Sequence, residues 1–512
     1  MPRKYDPTGI YGGDAWPAVC VKWIVSNNDT DFSEASSVQH GFALSTIDVR
    51  FAIKVEATGL APYTKYFYRF ESCEGADFGH SPVGIFKTLP DENDSVTELN
   101  LAFFSCANLP FGFFNAYGHV ANNSESYDYV QHIVRHLNPP SLLSCSSSVI
   151  KYHQGDYIYE YKNGDYGDGT AIHRIPEPDR ELSSLQDYRD RFAQYRLDKD
   201  LQELHRVLAW QVVWDDHDVA DNAWAHGTAD SNDTMRGQVG DYQFSGRKAN
   251  AVIAYFEWMP IRQVDTDDKL RIWRTFKLGN LADMVIEAES GSPDRTMTGP
   301  AQEKWFLDQM SESSERGAAW RLVMQQVVFS RVNYSIVTNG ATEFNMDAWE
   351  GYRYQRDLIL QHIENNKINN TVILSGDSHA SWVSDLKREN STTYNATTGS
   401  GALGVEFAGS AVSSPSSCAG YTDELYIEIA EGLVEATPSL QYAEGQLRGF
   451  VSLSITPSNV TAEYFGFYDQ LSRNSNATLM GRFTTQRDSN KLDRPLNGGK
   501  NVTFGYLGAG KA

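Results

Sequence analysis

No stretch of about 18 apolar residues, the length that crosses a bilayer, occurs in the chain. The opening Met1-Pro2-Arg3-Lys4-Tyr5-Asp6 leads into no apolar leader core. Within these 512 residues no membrane-spanning helix is expected. Positive charge is scarce: 44 Lys and Arg stand against 66 Asp and Glu, a net −22. Affinity for a polyanion comes largely from cations that release its counterions, so nucleic acid is not an expected partner. Cysteine is sparse too, with five residues, an odd number, and no Cys-x-x-Cys pair for zinc or redox work. Cys20 and Cys73 either pair or stay reduced, and Cys145 and Cys418 carry no readable signal. No Gly-x-Ser-x-Gly elbow is present to support a serine hydrolase.

What is present is a chain of 512 residues, too long for one core, with 41% hydrophobic and 12% aromatic residues to fill two. Asn-x-Ser/Thr sequons begin at Asn28, Asn93, Asn122, Asn232, Asn333, Asn369, Asn390, Asn395, Asn459, Asn476 and Asn501. Such sites matter only in the secretory path, so secretion or display at the cell surface is the expectation.

The chemistry concentrates in Gly155-Asp156-Tyr157-Ile158-Tyr159, Trp214-Asp215-Asp216-His217-Asp218 and Leu374-Ser375-Gly376-Asp377-Ser378-His379. The second and third follow apolar, β-branched runs, Val212-Val213 and Val372-Ile373-Leu374, so their acids emerge where a buried strand stops. One acid-rich strand end is more often a turn or helix cap. Three of one design suit a metal that needs converging ligands.

Joined to Phe103-Phe104-Ser105-Cys106, these motifs resemble the PhoD-like alkaline phosphatase/phosphodiesterase family, fungal-type, of the calcineurin-like metallophosphoesterase kind. The likeness runs from about residue 20 to 490. It includes the segment 111–117, Asp187-Tyr188-Arg189, the segment 255–262 and Asp347-Ala348-Trp349-Glu350-Gly351-Tyr352. It implies an α/β fold: a layered β-sandwich core flanked by helices, behind an N-terminal fibronectin- or Ig-like β-sandwich. Fungal relatives often carry N-terminal membrane or signal segments, so a leader ahead of Met1 is an expectation.

Residues 1–90 read as the β domain, with alternating strands at 19–25 and 49–55 and a tyrosine-corner approach at 60–68. The proline-marked polar stretch 88–94 is the linker. The catalytic domain spans 98–490, with helical patterns at 185–204 and 302–309 and antiparallel strands at 450–455 and 461–467. Two places depart from the family. Segment 134–154 separates a strand from the Gly155-Asp156-Tyr157 motif, either as a surface loop or as a translated intron, since a valine codon begins GT and a glutamine codon can end AG. Near 284–290 the family's Asp-Thr-Arg segment is missing.

The resemblance assigns roles. Cys106, Tyr159 and His379 face Fe³⁺, Asp156 bridges two metals, and Asp216 (or Asp215) with Asp377 binds the second. The hard carboxylates favour Ca²⁺ there, with Mg²⁺ or Mn²⁺ as alternatives. His217 acts as acid at the leaving group, and Asn222 and Asp347 bind substrate. Arg189 either clamps the phosphate or forms a helix ion pair. The expected reaction is hydrolysis of a small-molecule, lipid or polymer phosphoester by metal-bound hydroxide. The alternative is a catalytically dead, glycosylated surface protein disabled by the insert and the loss.

Overall fold

The computed structural model describes residues 18–132, 157–221, 223, 227–228, 243–286, 296–336, 348–416 and 421–511. The 134–154 insert and the region of the lost Asp-Thr-Arg segment, beyond residue 286, lie outside them.

The N-terminal part is a four-stranded antiparallel sheet of β1 (Val19–Ser26), β2 (Ser37–Ser45), β3 (Lys65–Ser72) and β4 (Gly84–Lys87), in the order β2-β1-β3-β4. It is one sheet, not the two layers of a sandwich, among the described residues. The expected strand at 49–55 is absent, because Arg50 and Phe51 take φ of 52° and 58° and turn the chain out of an extended path. The tyrosine corner is present: the Tyr66 hydroxyl accepts a 2.9 Å hydrogen bond from the backbone N–H of Ala61. Cys20 and Cys73 form a disulfide between β1 and the end of β3, with Cα atoms 5.5 Å apart.

Two further sheets build the larger part. A six-stranded sheet contains β5 (Leu99–Phe104), β6 (Tyr129–His132) and β7 (Ala209–Val212), mutually parallel. An eight-stranded sheet contains β8 (Arg274–Leu278), β9 (Ala282–Ile286), β10 (Trp320–Met324), β11 (Thr371–Ser375), β12 (Ser381–Asp385), β13 (Val405–Ala408) and β14 (Leu440–Glu444). Its centre, β9-β10-β11-β13, is parallel. The antiparallel strands β15 (Arg448–Ile455), β16 (Asn459–Phe467) and β17 (Thr478–Gln486) complete the smaller sheet. β18 (Tyr506–Leu507) pairs with β14 and carries the fold past residue 490, where the sequence reading ended the domain.

The two sheets pack face to face. Leu322, Met324, Val372 and Leu374 point into a core shared with Leu101, Phe103, Val451 and Leu453 of the other sheet. Val323 and Ile373, one residue out of phase, point the opposite way onto helices α5 (Gly299–Glu315) and α6 (Arg353–Asn365). Burial on both faces is why β10 and β11 are apolar throughout rather than alternating. On the outer face of the six-stranded sheet, α1 (Asn115–Asn122) brings Tyr117 against Phe104 and Trp210.

The helical pattern at 185–204 is two helices, α2 (Leu185–Tyr195) and α3 (Lys199–Val207). Asp198 breaks it by capping the second, accepting bonds from the N–H groups of Asp200 and Leu201 at 3.0 and 3.2 Å. α2 lies against α4 (Phe244–Trp258). The N-terminal sheet docks on these helices through Arg50 to Asp190 at 2.5 Å and Lys54 to the Phe256 carbonyl at 2.6 Å.

The disulfide closes a 53-residue separation. Replacing both cysteines by serine is expected to cost about 2–5 kcal/mol of the N-terminal sheet's stability. The check is an earlier unfolding transition in denaturant, reproduced in the native chain by reductant.

Candidate metal centre

Both sheets deliver chemistry at the carboxyl ends of their parallel strands. From β5 comes Ser105-Cys106, from β7 comes Asp215-Asp216-His217-Asp218, and from β11 comes Gly376-Asp377-Ser378-His379. Cys106, Asp377 and His379 all sit in left-handed turns, with φ of 62°, 76° and 50°. Such backbone costs on the order of 1–3 kcal/mol per non-glycine residue and persists where its surroundings over-determine it, often at functional sites.

Those surroundings are visible. The loop after β13 crosses from the larger sheet to the smaller one: Val412 N–H donates to Ser105 O at 2.8 Å, and Ser413 Oγ donates to Asn108 O at 2.8 Å. Gly409 makes the crossing possible, because a Cβ there would stand 2.7 Å from the Phe103 ring. The same loop carries Ser414, whose hydroxyl lies 2.7 Å from the Tyr159 phenol oxygen. Buried Arg448, at the start of β15, donates to His379 O at 2.5 Å, Ser414 O at 2.9 Å and Gly445 O at 2.8 Å. One guanidinium thus ties two of the loops.

His379 is fully buried, and its Nδ1 lies 2.6 Å from the Pro415 carbonyl. That contact fixes the neutral tautomer with the proton on Nδ1 and leaves Nε2 as a lone pair, buried and without a hydrogen-bond partner. Burial pushes the imidazole well below its ordinary pKa, with Arg448 and His217 adding to the shift. The group is therefore neutral, as a metal ligand must be. Burial likewise pushes the Cys106 thiol well up, aided by the Asp377 and Asp215 carboxylates and opposed by its hydrogen bonds to Ser105 Oγ and the Asp377 backbone. The N–H groups of Ser413 and Ser414 donate to the Cys106 carbonyl, each at 3.3 Å, and hold the Cys106 turn against the loop that carries Ser414.

His217, also fully buried, has Nδ1 2.5 Å from Glu160 Oε2. Glu160 Oε1 accepts the Asp221 N–H at 2.7 Å, so one carboxylate orients two members of the site. Ligand atoms of Asp216, His217 and Asp221 all lie within 4.8 Å of one another. Tyr159 stacks its ring at a tilt over His217, centroids 4.8 Å apart. Asp218 ties two motifs together, accepting the N–H of Ile158 at 3.3 Å and that of Asp215 at 3.2 Å. Burial raises its carboxyl to about 8 despite those bonds.

Glu160, Asp215, Asp216, Asp218, Asp221 and Asp377 are all buried. Buried carboxyl groups beside a thiol and a neutral imidazole lone pair form a donor set of the kind that binds cations. The residues fit a metal centre of mixed hard and soft ligands.

The structure thus brings together Cys106, Tyr159, Asp215, Asp216, His217, Asp377 and His379. Asp156, Asn222 and Asp347 lie outside the described residues. Arg189 does not point its fork at an open pocket. Its Nε and Nη2 grip both oxygens of Glu257 on α4 at 2.7 and 2.6 Å, and the hydrogen bonds to that carboxylate raise its pKa further. Sequence reading missed Glu160, Asp221, Ser414 and Arg448. Glu160 and Asp221 stand one and four residues beyond named motif members, whereas nothing near Ser414 or Arg448 in the chain announces them.

Comparison with known proteins bears on this arrangement. The PhoD-like phosphatase family matches residues 148–464, and the PhoD-like phosphatase N-terminal domain matches residues 3–90. Alkaline phosphatase D of Bacillus subtilis is 31% identical over 476 residues, 88% of this chain and 72% of that protein. The solved structure of PhoD superposes with a TM-score of 0.75 at 28% identity, covering 94% of this chain and 86% of that one. A purple acid phosphatase from yellow lupin (Lupinus luteus) seeds superposes at 0.50 with 13% identity, covering 92% and 70%, a likeness of fold alone.

Glu160→Gln keeps the shape but removes the charge that orients His217. A 10–100-fold loss of activity or metal affinity is expected, as for other groups that hold a site residue in place. Steady-state kinetics with titrated metal separates the two; unchanged values for both would refute the orienting role.

Proposed function

The chain belongs to the PhoD-like phosphatase family and is a phosphoesterase; from that premise we propose how its residues divide the work. Cys106, Tyr159 and His379 would hold Fe³⁺, Asp216 and Asp377 would hold Ca²⁺, with Mg²⁺ or Mn²⁺ as substitutes and Asp215 as a neighbouring ligand, and Asp156 would serve both metals. The observation that carries this is the buried Nε2 lone pair of His379, set among converging carboxylates and the Cys106 thiol. When bound, the cations supply Lewis acidity: they draw in the phosphoryl oxygens and provide an activated water near neutral pH.

The chain's own groups do the rest. With Nδ1 held by Glu160, His217 has Nε2 as the ring atom that hands a proton to the leaving alkoxide. The Ser414 hydroxyl sets the direction of the Tyr159 phenol oxygen. Arg448 fixes the carbonyls of the two turns that present His379 and Ser414, so these groups need little reorganisation during reaction. Arg189 supports the site from outside by joining α2 to α4 rather than by clamping phosphate. Without cations the ring of carboxylates repels a phosphoester, which makes metal loading the condition for substrate entry.

Secretion fits the Cys20–Cys73 bond and the exposure of sequon residues such as Asn28, Asn93, Asn369, Asn395 and Asn476. No helix among the described residues is long and apolar enough to cross a membrane.

Purified protein is expected to contain iron and to be coloured by phenolate-to-iron charge transfer, and Cys106→Ser should lose both iron and colour. A colourless, iron-free preparation that still turns over a generic phosphomonoester or diester would remove the iron assignment. A preparation that takes up no metal and hydrolyses neither ester would favour the surface-protein reading.

Asp156→Asn should lower kcat/KM by several orders of magnitude, because it removes a carboxylate charge that would serve both cations. Retention of more than about a tenth of the activity, a loss under about 1.4 kcal/mol, would contradict the shared position.

A further inference from the structure

Away from the metal centre, a cavity of about 170 Å³ lies between the first turn of α6, the end of β12 and the C-terminal end of helix α7 (Asp423–Ala436). One water needs roughly 10–15 Å³ of such space, so several waters or a small ion fit. Its walls include Arg331, Arg356, Lys387 and Ser330, and none of the candidate metal ligands belongs to it.

Arg356 is the anomaly. Only 5% of its surface is exposed, yet among the described residues the guanidinium makes no hydrogen bond and no ion pair; it stands 6.0 Å from the centre of the Phe329 ring. The hydroxyl of Ser330 is also buried without a hydrogen-bond partner. Glu350, Glu389 and Glu406 act on Arg356 through their fields, but the short contacts of the surrounding carboxylates go to other groups. Glu350 is 3.2 Å from Arg331 and 3.1 Å from Arg353. Glu389 is 2.6 Å from Arg331 and 3.5 Å from Arg353. Glu406 accepts the N–H groups of Phe329 and Ser330, each at 2.7 Å, and the Ser375 hydroxyl at 2.5 Å. Asp385, on the cavity wall, is taken by Arg494 at 2.6 Å, Tyr394 at 2.9 Å and the Leu492 N–H at 2.8 Å. Lys387 reaches only two carbonyls, both at 3.3 Å.

A buried guanidinium with open donors is costly unless an acceptor meets it. We propose that this cavity is a second anion site, independent of the metals, which takes a tetrahedral oxyanion, phosphate or sulfate. Arg356 supplies the planar fork, Lys387 a point charge and Ser330 a neutral donor, a set matched to an ion with acceptors on every side. In a protein of net charge −22 such a pocket is a local reversal of sign.

The test is calorimetric titration of the metal-loaded enzyme at constant ionic strength with sodium sulfate, then with inorganic phosphate. The wild type should show one saturable sulfate site and one more phosphate event than any variant that lacks the cavity's cations. Arg356→Gln and Lys387→Met should each weaken sulfate binding by about tenfold or more, with turnover of a phosphomonoester in sulfate-free buffer unchanged. Lys387 is only half-buried, so its variant keeps the test intact if Arg356→Gln fails to fold. No saturable sulfate binding would overturn the proposal. So would binding that survives both substitutions, or binding lost in Asp377→Asn while Arg356→Gln retains it.

Discussion

Mutual repulsion among buried acids is the constraint on which the rest of this structure depends. Glu160, Asp215, Asp216, Asp218, Asp221 and Asp377 are all withdrawn from water around one centre with the Cys106 thiol. Desolvated charges of one sign cannot share a small volume on their own, and a fold that gathers them has to supply compensation. Part is internal: Arg448 and Arg191 are buried cations whose donors go to backbone carbonyls of the site loops, including those of His379, Ser414 and Tyr161. The proposed cations would supply further compensation. The sandwich serves this need, because two sheets whose parallel strands end together can aim several loops at one point while their shared apolar core holds the strands in register.

The centre was legible in the chain wherever local pattern dictates it. Apolar runs that end abruptly in acids mark buried strands that reach an edge, and β7 and β11 end within a residue or two of where those runs stop. Where tertiary context decides, local pattern misleads. The alternation at 49–55 is genuine, but left-handed backbone at Arg50 and Phe51 turns it into an irregular segment, and Lys54 is spent on the carbonyls of Phe256 in α4 and of Ile261 just beyond it. The helical periodicity across 185–204 is likewise real on both sides of Asp198. Reading Asp198 as a cap rather than as a polar face residue would have split it. Arg448 and Ser414 were invisible for a different reason: their roles exist only after β13 has been laid beside β11 and β15 beside β5, and no spacing in the chain encodes those adjacencies.

Tyr63 and Leu89 of the N-terminal part pack on the main core, and around them cations of one part meet anions or carbonyls of the other. Lys65 meets Glu125, Lys87 meets Asp128, and Arg206 of α3 reaches back to the Val83 carbonyl. Contacts of this polar kind resemble transient interfaces more than a continuous core. Arg50 grips Asp190 on α2, one residue from Arg189, which in turn holds α4. The Arg189–Glu257 ion pair, the second of the two roles open to Arg189 from its sequence, is thus one link in a chain of charges from the N-terminal part to the helices beside the candidate metal centre.

The loop that follows β13 carries a consequence for how the protein matures. Its bonds to Ser105 and Asn108 form only between segments roughly three hundred residues apart in sequence, and contacts so remote are formed slowly. During synthesis the Cys106 turn emerges long before its counterpart and must wait, thiol uncovered, for the rest of the chain. The interval between translation and closure is therefore when this cysteine is most open to oxidation, and the compartment's redox poise in those seconds bears on the yield of competent protein.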